Sequence, residues 1–389
     1  MTQAEQIRSL LDSILPGNRF YARKVTAIDS LDDLFTLKQE LIDDQAENPP
    51  YGTNLTFPLD RFTRFCQTSG TSGHPLHWLD TPESWNWMLG NWDRVYEAAG
   101  ITARDHIFFA FSFGPFLGFW TAFEAATRMG ALAIPGGGMR TGVRLRTILD
   151  TRATVLCCTP TYAIHLAEAA ADEKIDIHAS SVRRIIVAGE PGGSIAATRA
   201  HIEKLWPGAR VVDHHGMTET GPVSYGCPAR PGVLHIIESS YIAEVIDKEL
   251  ILTNLGRIGS PLIRYRTGDI VNAVRGQCAC GSSDVALEGG ILGRTDDMVV
   301  VRGVNIYPSA VEEVLRSEGV TEYRVEVQAE RALTQLHIQV EAESGATVSR
   351  LEAALTNAFS LRIPVASVPA GTLPRFEAKA KRWIRYDRS

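Results

Sequence analysis

The chain reads as an α/β protein: a large N-terminal domain of several subdomains with mainly parallel sheets, then a small α+β C-terminal domain. Three observations predict this. Short apolar runs alternate with helical patterns across the first two-thirds, the rhythm of strands joined by crossover helices. Beyond Gly216 the apolar runs crowd together, as Tyr241–Ile246 and residues 249–255 do, which suits an antiparallel pair or meander. After a polar, turn-rich segment at 293–297, the remaining chain carries a helix, two alternating strands and a second helix of its own. The 389 residues exceed one ordinary domain, and 44% hydrophobic content is enough for a sizeable core.

Taken in order, residues 1–15 form an amphipathic helix with Ile7, Leu10, Leu11, Ile14 and Leu15 on one face. The segment lacks the continuous apolar stretch of a secretion signal, and no apolar run reaches the roughly 18–20 residues that cross a bilayer. A cytoplasmic location with no membrane partner is expected. Strands are predicted at 107–111, 131–134, 154–158, 184–188 and 210–212, with helices over 116–129 and 162–171 between them. In the last unit Pro308 and Ser309 open a helix, and Ser309 with Glu312 has capping-box spacing. Alternating strands follow, carrying Tyr323, Val325 and Val327, then Leu336, Ile338 and Val340, and a helix covers 348–361. The domain limits that result are 1–293 and 298–389, with the boundary segment at 294–297.

The formal net charge is −6 and no basic stripe occurs, so nucleic acid is not an expected partner. Six cysteines in a cytosolic chain are thiols or metal ligands before they are disulfides. Cys157 and Cys158 fall in an apolar strand and read as core.

Six motifs carry chemistry. Residues 67–75 (QTSGTSGHP) put two glycines and four hydroxyls into one loop, where backbone N–H groups and hydroxyls can cradle phosphate oxygens, although the lysine-bearing P-loop spacing is missing. Residues 188–193 (AGEPGG) follow an apolar strand, at the end where open α/β sheets bind ligands. Residues 213–222 (DHHGMTETGP) place a hydroxyl and a carboxylate side by side after a strand, a pair that can hold a phosphate oxygen and its Mg²⁺. In 265–269 (YRTGD) the carboxylate of Asp269 can accept two ribose hydroxyls, and in 293–297 (GRTDD) the guanidinium of Arg294 suits phosphate or ribose oxygens; an ordinary turn ion pair is the alternative for both. Residues 373–382 (LPRFEAKAKR) form a basic cluster near the end of the chain.

In this order the set resembles the acyl-adenylating (ANL) superfamily of acyl-CoA synthetases, adenylation domains and luciferases, and within it the short phenylacetate-CoA ligase branch. The closest echoes are TVLCCTP at 154–160, YRTGD at 265–269 and GRTDDMVVVRGVNIYP at 293–308, and the likeness runs from about Cys66 to Arg382. It implies an ATP-dependent ligase that forms an acyl-adenylate and then a coenzyme A thioester. The loop of Thr68, Ser69, Gly70, Thr71, Ser72 and Gly73 would cover the ATP phosphates. Gly189, Glu190 and Pro191 would lie against adenine, with His215, Gly216 and Met217 beside them; His215 stands where relatives usually have a stacking tyrosine. Thr218 would touch phosphate and Glu219 would hold Mg²⁺. Asp269 would take the ribose with Arg294 nearby, Asp296 would be the hinge, Gly303 would line the pantetheine tunnel, and Lys379 would contact the acyl carboxylate and the α-phosphate. Three departures stand out: 74–76 (HPL) lacks the lysine many relatives carry, Ala378 replaces a usual glycine, and the 389 residues fall well short of a typical long acyl-CoA synthetase.

Cys227, His235, Cys278 and Cys280 make a Cys₃His set suited to structural Zn²⁺, with free thiols and a surface histidine as the alternative. Apolar walls from Phe111, Phe113 and Gly114 fit an aryl ring, so the acid is expected to be benzoate-like, anthranilate-like or phenylacetate. Two rival readings are a carrier-protein phosphopantetheine as acceptor in place of coenzyme A, and a non-catalytic nucleotide-binding regulator.

Overall fold

The structure is a computed structural model that describes residues 2–15, 17–27, 30–68, 75–302, 304–330, 333–342, 345–376 and 380–386. The N-terminal segment folds into helices α1 (Gln3–Ile14), α2 (Arg19–Thr26) and α3 (Lys38–Glu47). The apolar stripe of α1 is buried as its periodicity requires, and Thr2 and Glu5 close a capping box at its start. An antiparallel pair, β1 (Arg64–Gln67) and β2 (His77–Asp80), brackets residues 69–74, which lie outside the described residues. Helix α4 (Pro82–Ala98) follows, with Thr81 as its cap and Pro82 in its first turn.

All five expected parallel strands are present, within one or two residues of their expected bounds: β3 (His106–Phe109), β4 (Leu132–Pro135), β5 (Val155–Cys158), β6 (Arg184–Val187) and β7 (Arg210–Asp213). They pair in the order β4-β3-β5-β6-β7. Helices α5 (Trp120–Met129), α6 (Thr141–Asp150), α7 (Pro160–Asp172) and α8 (Ala196–Leu205) are the crossovers. Val155 and Cys157 enter one apolar cluster and Leu156 and Cys158 the other, so the sheet is covered on both faces. The helix expected over 116–129 starts later, at Trp120. Phe113 and Gly118 both have positive φ (54° and 38°), and these turns keep 116–119 out of the helix.

Beyond β7 the pairing becomes antiparallel. A short hairpin, β8 (Gly216–Met217) with β9 (Gly221–Pro222), leads into β10 (Ser224–Gly226), β11 (Val233–Ile236), β12 (Tyr241–Ile246), β13 (Glu249–Asn254), β14 (Tyr265–Val274) and β15 (Ala286–Arg294). These six form one sheet in the order β10-β11-β15-β14-β13-β12.

The C-terminal domain has a core of its own. It contains the hairpin β16 (Val299–Val301) and β17 (Val304–Ile306), helices α9 (Pro308–Ser317) and α10 (Gly345–Phe359), and strands β18 (Tyr323–Glu330), β19 (Leu333–Glu341), β20 (Val365–Val368) and β21 (Trp383–Tyr386). The last four make a mixed sheet in the order β20-β19-β18-β21. The capping box expected from Ser309 and Glu312 does not form. Pro308 fixes the helix start with Tyr307 as the flanking residue, which puts Ser309 inside the first turn. Its hydroxyl donates to the Leu292 carbonyl instead, and Glu312 pairs with Arg316. No helix among the described residues is long and apolar enough to cross a membrane.

Candidate active site

The turn after β6 begins at Ala188 and Gly189, the latter at φ +95°. Glu190 follows, and its carboxylate joins three parts of the chain. Oε1 accepts from the Thr161 N–H at 2.8 Å, in the first turn of α7, and Oε2 accepts from the Ala380 N–H at 2.8 Å, in the C-terminal domain. The first contact also places negative charge at the positive end of a helix. Gly192 permits the close approach, since a Cβ there would meet Pro160 at 2.5 Å. Pro191 is exposed beside Glu190.

The segment after β7 is held from behind. Arg257 and Asp80, both without solvent exposure, pair through two bonds of 2.6 Å, and Arg257 Nη1 donates to the Thr218 carbonyl (2.6 Å) and the Glu219 carbonyl (2.9 Å). The backbone of 218–219 is therefore clamped by a buried guanidinium. The Glu219 carboxylate is buried and pairs with Lys38 Nζ at 3.2 Å. His214 is buried against Trp92, with ring centroids 4.4 Å apart, and its Nδ1 bonds the Ser224 carbonyl at 2.7 Å. Burial pushes its imidazole down to about 3, so it is neutral at physiological pH. Gly216 and Met217 are half-buried in β8.

Asp269 and Arg294, expected at the ribose with a turn ion pair as the alternative, are directly opposite each other on neighbouring antiparallel strands. Arg294 Nη1 donates to Asp269 Oδ1 at 3.0 Å, and His215 Nε2 lies 2.9 Å from Asp269 Oδ2. The same guanidinium forks onto Asp296, with Nε to Oδ1 at 2.8 Å and Nη2 to Oδ2 at 3.1 Å. For Asp296, burial opposes ionisation, but the Arg294 hydrogen bond and charge, with Lys38 adding to them, hold the carboxyl below its usual range. Asp269 is buried, yet a carboxylate has about four lone-pair sites, which leaves room for two further donors such as vicinal hydroxyls. The imidazole of His215 is thus oriented by hydrogen bonding to Asp269.

Thr68 closes the neck of the 69–74 loop. Its N–H donates to the Leu76 carbonyl (3.0 Å), and the Leu76 N–H donates to its hydroxyl (2.9 Å). The neighbouring Gln67 N–H donates to the Pro115 carbonyl at 2.7 Å, which ties the end of β1 to the aromatic loop after β3. There Phe111 and Phe113 pack edge to face at 5.3 Å, and Phe113 meets Trp120 at 4.8 Å and Phe123 at 5.3 Å. Gly114 accepts the Trp120 indole N–H at 2.9 Å. All five of these residues are half-buried, so the cluster is a wall with an open side rather than closed core. Ser69, Gly70, Thr71, Ser72, Gly73, Gly303 and Lys379 lie outside the described residues.

At the opposite end of the β14–β15 pair, Cys227, His235, Cys278 and Cys280 converge, their ligand atoms all within 4.8 Å of one another. Cys227 Sγ and Cys278 Sγ are 3.7 Å apart, too far for a disulfide, and Cys280 Sγ is 3.4 Å from His235 Nε2. Tetrahedral zinc with bonds of about 2.0–2.3 Å needs ligand separations of roughly 3.3–3.8 Å. His235 Nδ1 lies 3.0 Å from the Asp284 carbonyl, an acceptor that requires the proton on Nδ1 and leaves the Nε2 lone pair facing the thiols. The donor set fits structural Zn²⁺.

Sequence reasoning missed Arg257, Asp80 and Lys38. None sits in a local motif, and the only signal was charge in otherwise apolar or N-terminal surroundings.

The AMP-binding enzyme model matches residues 17–266, and the AMP-binding enzyme C-terminal domain model matches 303–386. The phenylacetate-coenzyme A ligase of Thermus thermophilus is 30% identical over 366 residues, covering 87% of this chain and 80% of the relative. A 2-hydroxyisobutyryl-CoA ligase in the postadenylation state, in complex with 2-HIB-AMP, superposes with a TM-score of 0.91 at 25% identity, over 100% of this chain and 91% of that one. The same enzyme with 2-HIB-AMP and CoA in the thioesterification state gives 0.71 at 26% identity, over 99% and 90%. The chain belongs to the AMP-binding enzyme family, as an AMP-forming acyl-CoA ligase of the ANL superfamily similar to the phenylacetate-CoA ligases.

Proposed function

We propose that the protein is an aryl carboxylate-CoA ligase that converts an aromatic acid and ATP to acyl-AMP and pyrophosphate, then transfers the acyl group to coenzyme A. The observation that carries this reading is the Glu190 carboxylate, which bonds the Ala380 N–H across the domain boundary and so brings the segment next to Lys379 to the strand-end turns. The whole-chain superposition, higher on the postadenylation state than on the thioesterification state, agrees with this arrangement being the adenylating one.

In this reading Asp269, oriented by Arg294 and His215, accepts the ribose hydroxyls. Gly189, Glu190, Pro191, His215, Gly216 and Met217 border the adenine. The loop from Thr68 to Gly73 and the Thr218 hydroxyl take the phosphates. Glu219 would hold Mg²⁺, which when bound supplies charge neutralisation to the leaving pyrophosphate. Lys379 offsets the charge of acid and α-phosphate as they close, an effect largest in the transition state. The C-terminal domain, 298–389, then turns about 294–297, with Asp296 as the pivot, and Gly303 lines the route of the thiol. Phe111, Phe113 and Gly114, with Trp120 and Phe123, form the aryl wall. Four Zn²⁺ ligands, Cys227, His235, Cys278 and Cys280, brace the far end of β14 and β15.

The test is pyrophosphate release across phenylacetate, benzoate, anthranilate and 2-hydroxyisobutyrate, followed by mass analysis with coenzyme A and a phosphopantetheinylated carrier protein offered in parallel. An aromatic acid activated in preference to 2-hydroxyisobutyrate, with a coenzyme A thioester as product, is expected. Preference for the small aliphatic acid would overturn the aromatic assignment, and no pyrophosphate with any acid would overturn the reading as a whole.

A further inference from the structure

Lys38 stands outside every motif, yet it is the basic residue that meets the Glu219 carboxylate. Its position is costly by local criteria. It is the first residue of α3, where the positive end of the helix disfavours an ammonium. The chain delivers it there by a dedicated anchor two residues earlier. Thr36 pairs with Tyr265 as an extra bridge on the edge of β14; its N–H donates to the Arg264 carbonyl (3.1 Å), and its carbonyl accepts from the Arg266 N–H (3.0 Å). The buried Thr36 hydroxyl donates to the Ile263 carbonyl and bonds the Tyr21 hydroxyl, each at 2.8 Å. The N-terminal segment is thereby stapled to the strand that carries Asp269, and Lys38 is aimed into the nucleotide site.

Glu219 is buried, and a buried carboxylate without a partner is strongly disfavoured, so the Lys38 ammonium supplies the counter-charge. The two side chains differ in freedom: that of Glu219 is 7% exposed and that of Lys38 35%, so the lysine is the partner with room to move. If a divalent cation takes Glu219, as the function proposed above requires, cation and ammonium repel at that distance. The Asp296 carboxyl, which Lys38 also helps keep ionised, already has both oxygens on Arg294, so the polyphosphate oxygens that the cation brings are the open acceptors for a displaced Lys38.

We propose that Lys38 is a mobile counter-ion of the nucleotide site, which neutralises Glu219 when the site is empty and turns its ammonium to the β- or γ-phosphate when Mg²⁺ and ATP bind. Among the described residues it supplies the phosphate-facing lysine charge that 74–76 (HPL) does not. The inference rests on Glu219 being the metal ligand.

The experiment is calorimetric binding of α,β-methylene-ATP, with and without Mg²⁺, and of AMP, to the full chain and to its Lys38→Met, Lys38→Gln, Lys38→Arg and Glu219→Gln variants. In both neutral Lys38 variants the analogue should bind about tenfold or more weakly, the scale of one charge-assisted hydrogen bond. AMP, which lacks the outer phosphates, should bind unchanged and so reports an intact fold. Lys38→Arg should retain most of the analogue affinity. Mn²⁺ binding to the empty Lys38→Met protein, followed by electron paramagnetic resonance, should tighten because its competitor is gone. Unchanged analogue affinity in both neutral variants, or an equal loss for analogue and AMP, would overturn the role of Lys38. If Glu219→Gln keeps the full Mg²⁺ enhancement of analogue binding, the placement of the metal falls instead, and the counter-ion proposal falls with it.

Discussion

Arg257 carries more of the site's geometry than any residue in its motifs. A guanidinium with no solvent exposure meets an equally buried Asp80 through Nε and Nη2 and uses its remaining nitrogen, Nη1, on the carbonyls of Thr218 and Glu219. Removing one member of a buried pair leaves the other charged and unpaired, at about 3–5 kcal/mol. Arg257→Met should therefore lower the unfolding free energy by that order in urea titrations, and the folded fraction should show weakened Mg²⁺ dependence as 218–219 loosens. An Arg257→Met protein with wild-type stability would contradict the clamp. His214 gives a second expectation. Its folded value of about 3 lies below the ordinary 6.5, so above pH 6.5 neither state is protonated and the group contributes nothing. As pH falls below 6.5 the unfolded state binds a proton that the folded state refuses, and stability declines until about pH 3. His214→Gln should flatten the pH dependence of the urea midpoint between 6.5 and 4.5, relative to the parent chain. An unchanged slope would show that another group governs acid unfolding. None of this was visible along the chain: Asp80 and Arg257 are 177 residues apart, and the environment of His214, just after β7, is set by Trp92 from helix α4.

At the scale of elements, β14 and β15 do two jobs. One end of the pair holds Asp269 against Arg294 and the other closes through the cysteine-rich loop. The residues 265–269 and 293–297 are rich in Gly, Thr and Asp, which favour turns when only local preference counts. Residues 295–297 do form a turn, but cross-strand pairing overrides the preference at 265–269 and 293–294, and the register makes Asp269 and Arg294 neighbours. By contrast, β3 to β7 were legible because an apolar run bounded by turn residues needs no distant information. For the loop, the expected result is about one zinc per chain in protein purified without chelator, and loss of that zinc in Cys278→Ser. Chelation should lower the melting temperature without abolishing adenylate formation, because the ligands sit at the far end of the strands. Zinc-free protein with an unchanged melting temperature on chelation would leave these thiols free.

For the whole molecule, the relation of the two domains is the central quantity. Besides Glu190 and Ala380, Arg382 bonds the Thr161 hydroxyl (3.2 Å), Arg375 meets Glu168 (3.2 Å), and α9 packs on α8. Among the described residues the Ala197 N–H also donates to Glu313 (3.4 Å), and polar contacts of this kind suit the proposed rotation of the C-terminal domain. Lys379→Ala should slow adenylate formation by roughly two orders of magnitude, the effect of losing one aimed electrostatic donor. Thioester formation from a supplied aryl-adenylate and coenzyme A should survive, because that step uses the other orientation. Pre-steady-state assay of each half-reaction separates the two, and equal loss of both in a folded variant would refute the two-orientation mechanism.

The sequence by itself determined the parallel strands, the N-terminal amphipathic helix, the order of the motifs and the ligand types of the cysteine cluster. Each of these depends on side-chain periodicity or on residue identity within a few positions. The tertiary structure alone decided which partner each charged group meets: Arg257 the carboxylate of Asp80, Lys38 that of Glu219, and Glu190 the Ala380 backbone N–H. Charge pairing leaves no periodic trace along a chain. An isolated arginine or glutamate reads the same in solvent as in a site, and only folding, by removing water from around it, makes its choice of partner compulsory.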